Sequence, residues 1–169
     1  MLRHRLYGNL LPQLSTSNKV ISIMLGLIQR VSSASVSIER QTHGQINQGI
    51  LLLLGVEKND TQSQADRLLQ KILNYRIFTD GEGKLNLSLS DICGDLLVVS
   101  QFTLAADTKK GLRPSFSSAA PPAQAENLYD YFLTQATALN KGKVASGLFA
   151  ADMQVSLCND GPVTFLLQS

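Results

Sequence analysis

The sequence predicts a single α+β domain, a largely antiparallel or mixed, barrel-like β-sheet covered by two main helices. Three observations carry that prediction. Apolar runs of strand length recur along the chain, separated by short polar or glycine-bearing turns. Two later segments place apolar residues at helical spacing. The 169 residues, 44% of them hydrophobic, suffice to bury one core, and no internal repeat, low-complexity tract or domain linker divides them.

Taken in order, "LGLIQRV" (25–31), "ASVSIE" (34–39) and "GILLLLGV" (49–56) are the first strands. The third is apolar throughout, the pattern of a strand covered on both faces. In 59–78, Ala65, Leu68, Leu69, Ile72 and Leu73 recur at three- and four-residue spacing and define one apolar helix face. Asn59, Asp60 and Thr61 are candidate caps for its start. "TDGEGK" (79–84) is a turn and "DLLVVSQFTL" (95–104) a further strand. The chain is then irregular over 105–122, and loops longer than about 12 residues in a compact domain are usually functional or disordered. Pro121 and Pro122 open a second helix, with Ala125, Leu128, Tyr129, Phe132, Leu133 and Ala136 on one face. "MQVSLCND" (153–160) and "VTFLLQ" (163–168) read as two closing strands, with Gly161-Pro162 as the hairpin turn between them.

The formal net charge is +2, but residues 1–23 hold Arg3, Arg5 and Lys19 and no acid. The remaining twelve basic and thirteen acidic residues leave the body at −1. Nucleic acid must therefore bind through a local patch and not through a global positive field. The leader ends just before Met24 and fits an extension from a misassigned start better than an organelle transit segment, so the expected domain is 24–169. No run approaches the roughly 18 apolar residues of a membrane span. Cys93 and Cys158 lie in strand-like apolar surroundings and are expected to be small buried hydrophobes, which suits a reducing cytoplasm.

The usual catalytic inventory is nearly empty. His4 lies in the leader and His43 in an expected hairpin turn beside Gly44. No histidines, cysteines or carboxylates have metal-ligand spacing, and no glycine-rich phosphate loop follows a strand. A Ser-His-Asp relay would have to recruit His43, which nothing else recommends. Neither a metal nor a cofactor is expected. What remains is Ser100, Gln101 and Thr103 at the end of an apolar strand, where sites are commonly built. A strand edge satisfying its own polar groups is the alternative, and spacing leaves both open. Lys109, Lys110 and Arg113 share one loop with Phe116 nearby. A solvated loop is the default there, and a phosphate-contacting patch with an aromatic beside it the sharper alternative.

Together, "LGLIQRV", "SQFTLAADT", "GLRPSFS", "LYDYF", "FAADMQVSL" and "NDGPVTF" resemble the D-aminoacyl-tRNA deacylases, in order from Met24 to the C-terminus. The signature stretches are 100–104 and 159–164. The resemblance implies a homodimeric, cytoplasmic hydrolase with active sites at the subunit interface, acting in trans on the ester between a D-amino acid and the tRNA 3′ end. It implies that Gly161-Pro162 is a cis peptide inserted into the partner's pocket, and that Arg30 orients this segment, with Asn159, Val163 and Thr164 completing it. A site for many D-amino acids cannot read the side chain, so rigid main-chain oxygens would hold the amino group and exclude the mirror arrangement. Glycine would pass such a filter, which implies activity on glycyl-tRNA, including tRNA-Ala mischarged with glycine.

For the chemistry, Thr103 has the position of a nucleophile, but no histidine or lysine stands near it in sequence to activate it. The backbone N–H groups of Phe102 and Thr103 can instead form an oxyanion hole, with the ribose 2′-hydroxyl positioning or activating water. Ser100 and Gln101 would shape the pocket. Three rival readings are a non-catalytic tRNA-binding module, a peptidyl-tRNA hydrolase, and a hydrolase of free D-amino-acid esters.

Overall fold

The computed structural model describes residues 23–109 and 111–169. All but the last residue of the expected leader, and Lys110 of the basic loop, lie outside that range. Among the described residues there are eight strands and three helices; six of the strands form a mixed sheet that is nearly closed into a barrel, with the helices on its outside.

Strand β1 (Leu25–Ile38) is the spine. Along one edge it pairs antiparallel with β3 (Gly49–Gly55) through its first half and with β2 (Gln41–Ile46) through its second. Along the other edge it pairs with β8 (Gln154–Gln168) over nearly its whole length. Strand β6 (Asp95–Ser100) runs parallel to β3, and β7 (Val144–Ser146) parallel to β6. A short hairpin of β4 (Phe78–Thr79) and β5 (Leu85–Leu87) stands apart. The sheet closes toward β2, where a Cβ on Gly44 would lie 2.8 Å from the Ser146 carbonyl oxygen of β7. Only a residue without a side chain permits that approach.

Alternation sorts the strands between two cores. Ile50, Leu52 and Leu54 of β3, with Leu96 and Val98 of β6, face the helices. Leu51, Leu97 and Val99 point the other way, into the barrel, and meet Val31, Ala34, Val36 and Ile46. This is why β3 is apolar throughout. Helix α1 (Gln62–Asn74) buries Ala65, Leu68, Leu69, Ile72 and Leu73, the face read from the sequence, and starts at Thr61 in a capping box with Gln64. Helix α3 (Pro122–Leu139) has Pro121 at its cap and buries Leu128, Tyr129, Phe132 and Ala136. The short α2 (Leu89–Ile92) lies between β5 and β6.

Several local expectations change. The first two predicted strands are one, because exposed Ser33 pairs with Cys158 of β8 and the ladder runs on past Ser32 instead of turning. His43 lies within β2, not in a turn; the turn is made by Glu39 and Arg40, both at positive φ. Both cysteines are exposed and not buried. Cys93 caps α2 in the left-handed region, and Cys158 lies on β8, most of which faces solvent. The closing hairpin is also absent. Residues 154–168 are a single strand, and Gly161-Pro162 belongs to a bulge in it. Gln29 faces Thr164 and Val31 faces Asn159, so residues 160–163 stand opposite Arg30 alone.

Candidate active site

Strand β6 ends where its sequence turns polar. The Gln101 amide donates to the Leu54 carbonyl at 2.8 Å, and residues Phe102–Ala105 then wind into a 3-10 turn. The turn is closed by Leu104 N–H to Gln101 O (3.2 Å) and Ala106 N–H to Thr103 O (3.2 Å). A helical turn leaves its opening amides without internal acceptors. Those of Phe102 and Thr103 have none among the described residues. The Thr103 hydroxyl is exposed and accepts from the Gln101 side-chain amide. Neither group is a base.

Beside this turn lies a cleft of about 670 Å³. Ser100, Gln101 and Phe102 form one wall, Phe116 and residues 119–122 a second, and Phe149, Ala150, Ala151 and Met153 a third. The lining is mostly apolar with a few polar groups, the usual make-up of a small-ligand site. The long loop that forms the second wall is tied down, not free. Lys58 N–H donates to Ser118 O and Ala120 N–H to Val56 O, both at 3.0 Å.

The third wall is held by Tyr129 of α3. Its hydroxyl lies 3.0 Å from the carbonyl oxygens of both Val98 and Gly147, joining the end of β6 to the segment after β7. Its ring also meets Phe149, with centroids 6.0 Å apart. Burial, with the nearby Asp130 charge, pushes the Tyr129 phenol up to about 12. The folded state keeps this proton where an unfolded tyrosine, at about 10, releases it. Stability from this group is therefore complete below pH 10 and lost as pH rises toward 12. Denaturant titrations across that window are expected to show a steeper loss for the wild type than for Tyr129→Phe. Equal losses would place the phenol in water.

The second signature stretch is built around Arg30, which is buried although charged. Its Nε donates to the Asp160 carbonyl (2.7 Å), its Nη1 to the Ile77 carbonyl (2.7 Å), and Nε lies 3.3 Å from the Asp160 carboxylate. Asn159 closes the neck of the bulge: Oδ1 accepts from Val163 N–H at 2.6 Å, and Nδ2 donates to Thr164 Oγ1 at 2.9 Å. The Gly161-Pro162 peptide is cis, as the resemblance implies, and both residues are exposed. The expected residues thus fall into two groups. Ser100, Gln101 and Phe102 line the cleft, with Thr103 on the adjoining turn. Arg30 and residues 159–164 form a braced projection that does not line the cleft of the same chain. Lys109 and Arg113 are exposed near the tip of a loop closed by mutual backbone bonds between Asp107 and Ser115 (2.7 and 3.0 Å).

Sequence reasoning did not single out Phe149, Ala150 or Met153 as cleft walls, although all three lie inside the quoted "FAADMQVSL". Ala150 adopts φ +59, rare for a residue with a side chain, and was a signal only the backbone carries. No group of three or more metal-binding side chains is present among the described residues, and no helix there is long and apolar enough to cross a membrane.

Comparison with known proteins spans the segments that carry both groups. The family model described as D-Tyr-tRNA(Tyr) deacylase matches residues 27–168. The chain belongs to the D-aminoacyl-tRNA deacylase family. D-aminoacyl-tRNA deacylase from Pseudoalteromonas translucida is 69% identical over 144 residues, 85% of this chain and 99% of the relative. That from Cellvibrio japonicus is 64% identical over 145 residues, 86% of this chain and 99% of the relative. Among solved structures, the c-Myc DNA Unwinding Element Binding Protein superposes with a TM-score of 0.82 at 41% identity, covering 86% of this chain and 98% of its own. A probable eukaryotic D-amino acid tRNA deacylase shares the fold, with a TM-score of 0.75 at 16% identity over 87% of this chain and 100% of its own. The family is one of hydrolases, and its members act on aminoacyl-tRNA.

Proposed function

We propose that this deacylase proofreads chirality in trans in the cytoplasm, through residues 24–169, with each cleft completed by the Gly161-Pro162 projection of a second copy. The observation that carries the reading is the separation just described: a braced, solvent-facing projection and a cleft that the same chain does not fill. Strand β8 supports a two-fold partner. No strand pairs its outer edge among the described residues, and Leu157, Phe165 and Leu166 are exposed along it. Long exposed apolar edges are otherwise avoided.

In the reaction, a water oxygen bonds to the ester carbonyl carbon and the bond from that carbon to the ribose 3′ oxygen breaks. The 3′ oxygen leaves with a proton, giving tRNA and the free D-amino acid. The free amides of Phe102 and Thr103 stabilise the charge on the carbonyl oxygen. Removing one such donor in other enzymes costs about 10²–10³ in rate. The 2′-hydroxyl beside the scissile bond positions the water, since no protein base is bonded to Thr103. Main-chain oxygens of the projection hold the amino group of a D-residue and leave an L-residue no place for its side chain. Glycyl-tRNA, including tRNA-Ala mischarged with glycine, passes the same filter and is hydrolysed.

Hydrolysis of D-, L- and glycyl-tRNA esters by the purified protein tests the filter. D and glycyl esters are expected to be cleaved and L esters spared; rapid L-ester cleavage defeats the reading. Thr103→Ala is expected to stay within about tenfold of the wild type, because a positioned hydroxyl matters far less than a covalent nucleophile. A fall of several orders of magnitude would restore threonine as the attacking group.

A further inference from the structure

The rings of an aromatic pair at the rim of the cleft, Phe102 and Phe116, have no part in the hydrolytic step. Phe102 is 62% exposed and Phe116 41%, although aromatic rings are usually well buried. The two ring centroids are 5.1 Å apart with planes tilted by 56°, and both side chains line the cleft. The backbone around Phe116 is held on both sides, by the Asp107–Ser115 bonds and by the Ala119 amide donating to the Phe116 carbonyl at 3.1 Å. The same loop presents Lys109 and Arg113, which form no ion pair among the described residues. Fixed rings open to water, beside exposed cations and next to a cleft, suit one chemistry well. Single-stranded nucleic acid stacks its bases on aromatic faces and runs its phosphates along cations.

We infer that Phe116, backed by Phe102, stacks the nucleobase that precedes the terminal adenosine of the tRNA 3′ end. The inference rests on the deacylase reading above and adds a second nucleotide to it. A cleft of about 670 Å³ accommodates one small ligand. Once the aminoacyl group and its adenosine occupy it, the preceding base lies at the rim, where the two rings are. Stacking is indifferent to base identity, so the contact adds grip without choosing among tRNAs.

The test compares a D-aminoacyl-tRNA with the same D-amino acid esterified to adenosine alone. Phe116→Ala and Phe116→Leu are expected to lower kcat/KM on the tRNA about tenfold or more, chiefly through KM, and far less on the adenosine ester. Phe116→Trp is expected to retain the tRNA value. Equal falls on both substrates, no fall, or full activity in the leucine variant would overturn the inference, since leucine keeps apolar bulk without a π face. A binding readout stands apart from hydrolysis. A CCA trinucleotide carrying a fluorescent cytosine analogue at its middle position is expected to be quenched by the wild type and not by Phe116→Ala. Absence of quenching by the wild type also overturns the inference. Inactivity of the wild type on both esters would instead sink the deacylase reading, leaving the quenching measurement to decide the stacking.

Discussion

Replacing Gly161 with alanine is expected to lower hydrolysis of a D-aminoacyl-tRNA by about 10²-fold while the protein stays folded. Gly161 has φ +142, a conformation that side chains rarely permit. An added Cβ would sit 2.7 Å from Val163 Cγ2, 3.0 Å from Arg30 Nη2 and 3.1 Å from the Val163 nitrogen. The valine methyl can rotate away. The other two neighbours are fixed, since Asn159 holds the Val163 amide and two carbonyls hold the Arg30 guanidinium. The main chain of the projection must therefore move, and displacements of about 1 Å in a positioning element can cost a hundredfold in rate. The barrel itself does not depend on Gly161, which is exposed. Rates on D and L esters, measured beside thermal unfolding, decide the matter. A normal D-ester rate in a folded variant would remove the projection from the site.

Arg30→Ala is expected to reduce both stability and activity. The side chain is buried and satisfies two carbonyl oxygens, those of Asp160 and Ile77, that belong to different parts of the chain. Losing bonds to a charged donor, with the buried Ile77 carbonyl left unpaired, costs about 2–3 kcal/mol. Its exposed contact with the Asp160 carboxylate adds little. Arg30→Lys separates the two roles. One ammonium cannot reproduce the planar fork that reaches both carbonyls at once, so much of the stability returns while the D-ester rate does not. Urea unfolding together with single-turnover rates reads both quantities. Wild-type values for each in Arg30→Ala would make this an ordinary surface arginine.

The legible parts of the fold were those written in local periodicity. The buried face of α1, the core face of α3 and the doubly covered β3 all follow from spacing within one segment. Elements fixed by partners elsewhere in the chain were harder to read. Ser32 and Ser33 look like a turn because they are polar and exposed, yet the pairing of Val31 and Ser33 with β8 on either side of Ser32 keeps this stretch in a strand. The three residues of β7 are too few to carry an alternation, and they form a strand only because β6 lies beside them. The site divides in the same way. Polar residues after an apolar run marked Ser100 to Thr103. The walls at Phe149 and Met153, about fifty residues further on, meet that turn only through the parallel crossover from β6 to β7. Arg30 was found by family resemblance, because nothing in "LIQRV" discloses that its guanidinium is buried.

The bulge in β8 also governs how this part of the chain can vary. From Gln29 to Ser33 the spine advances four residues while its neighbour advances six, from Cys158 to Thr164. The surplus is even. An odd surplus would turn every later side chain of the last strand inside out, exposing Leu167, which is now buried. Parity is thus the rule for this appendage: its length can change by pairs of residues without disturbing the wall that carries it, and not by single ones.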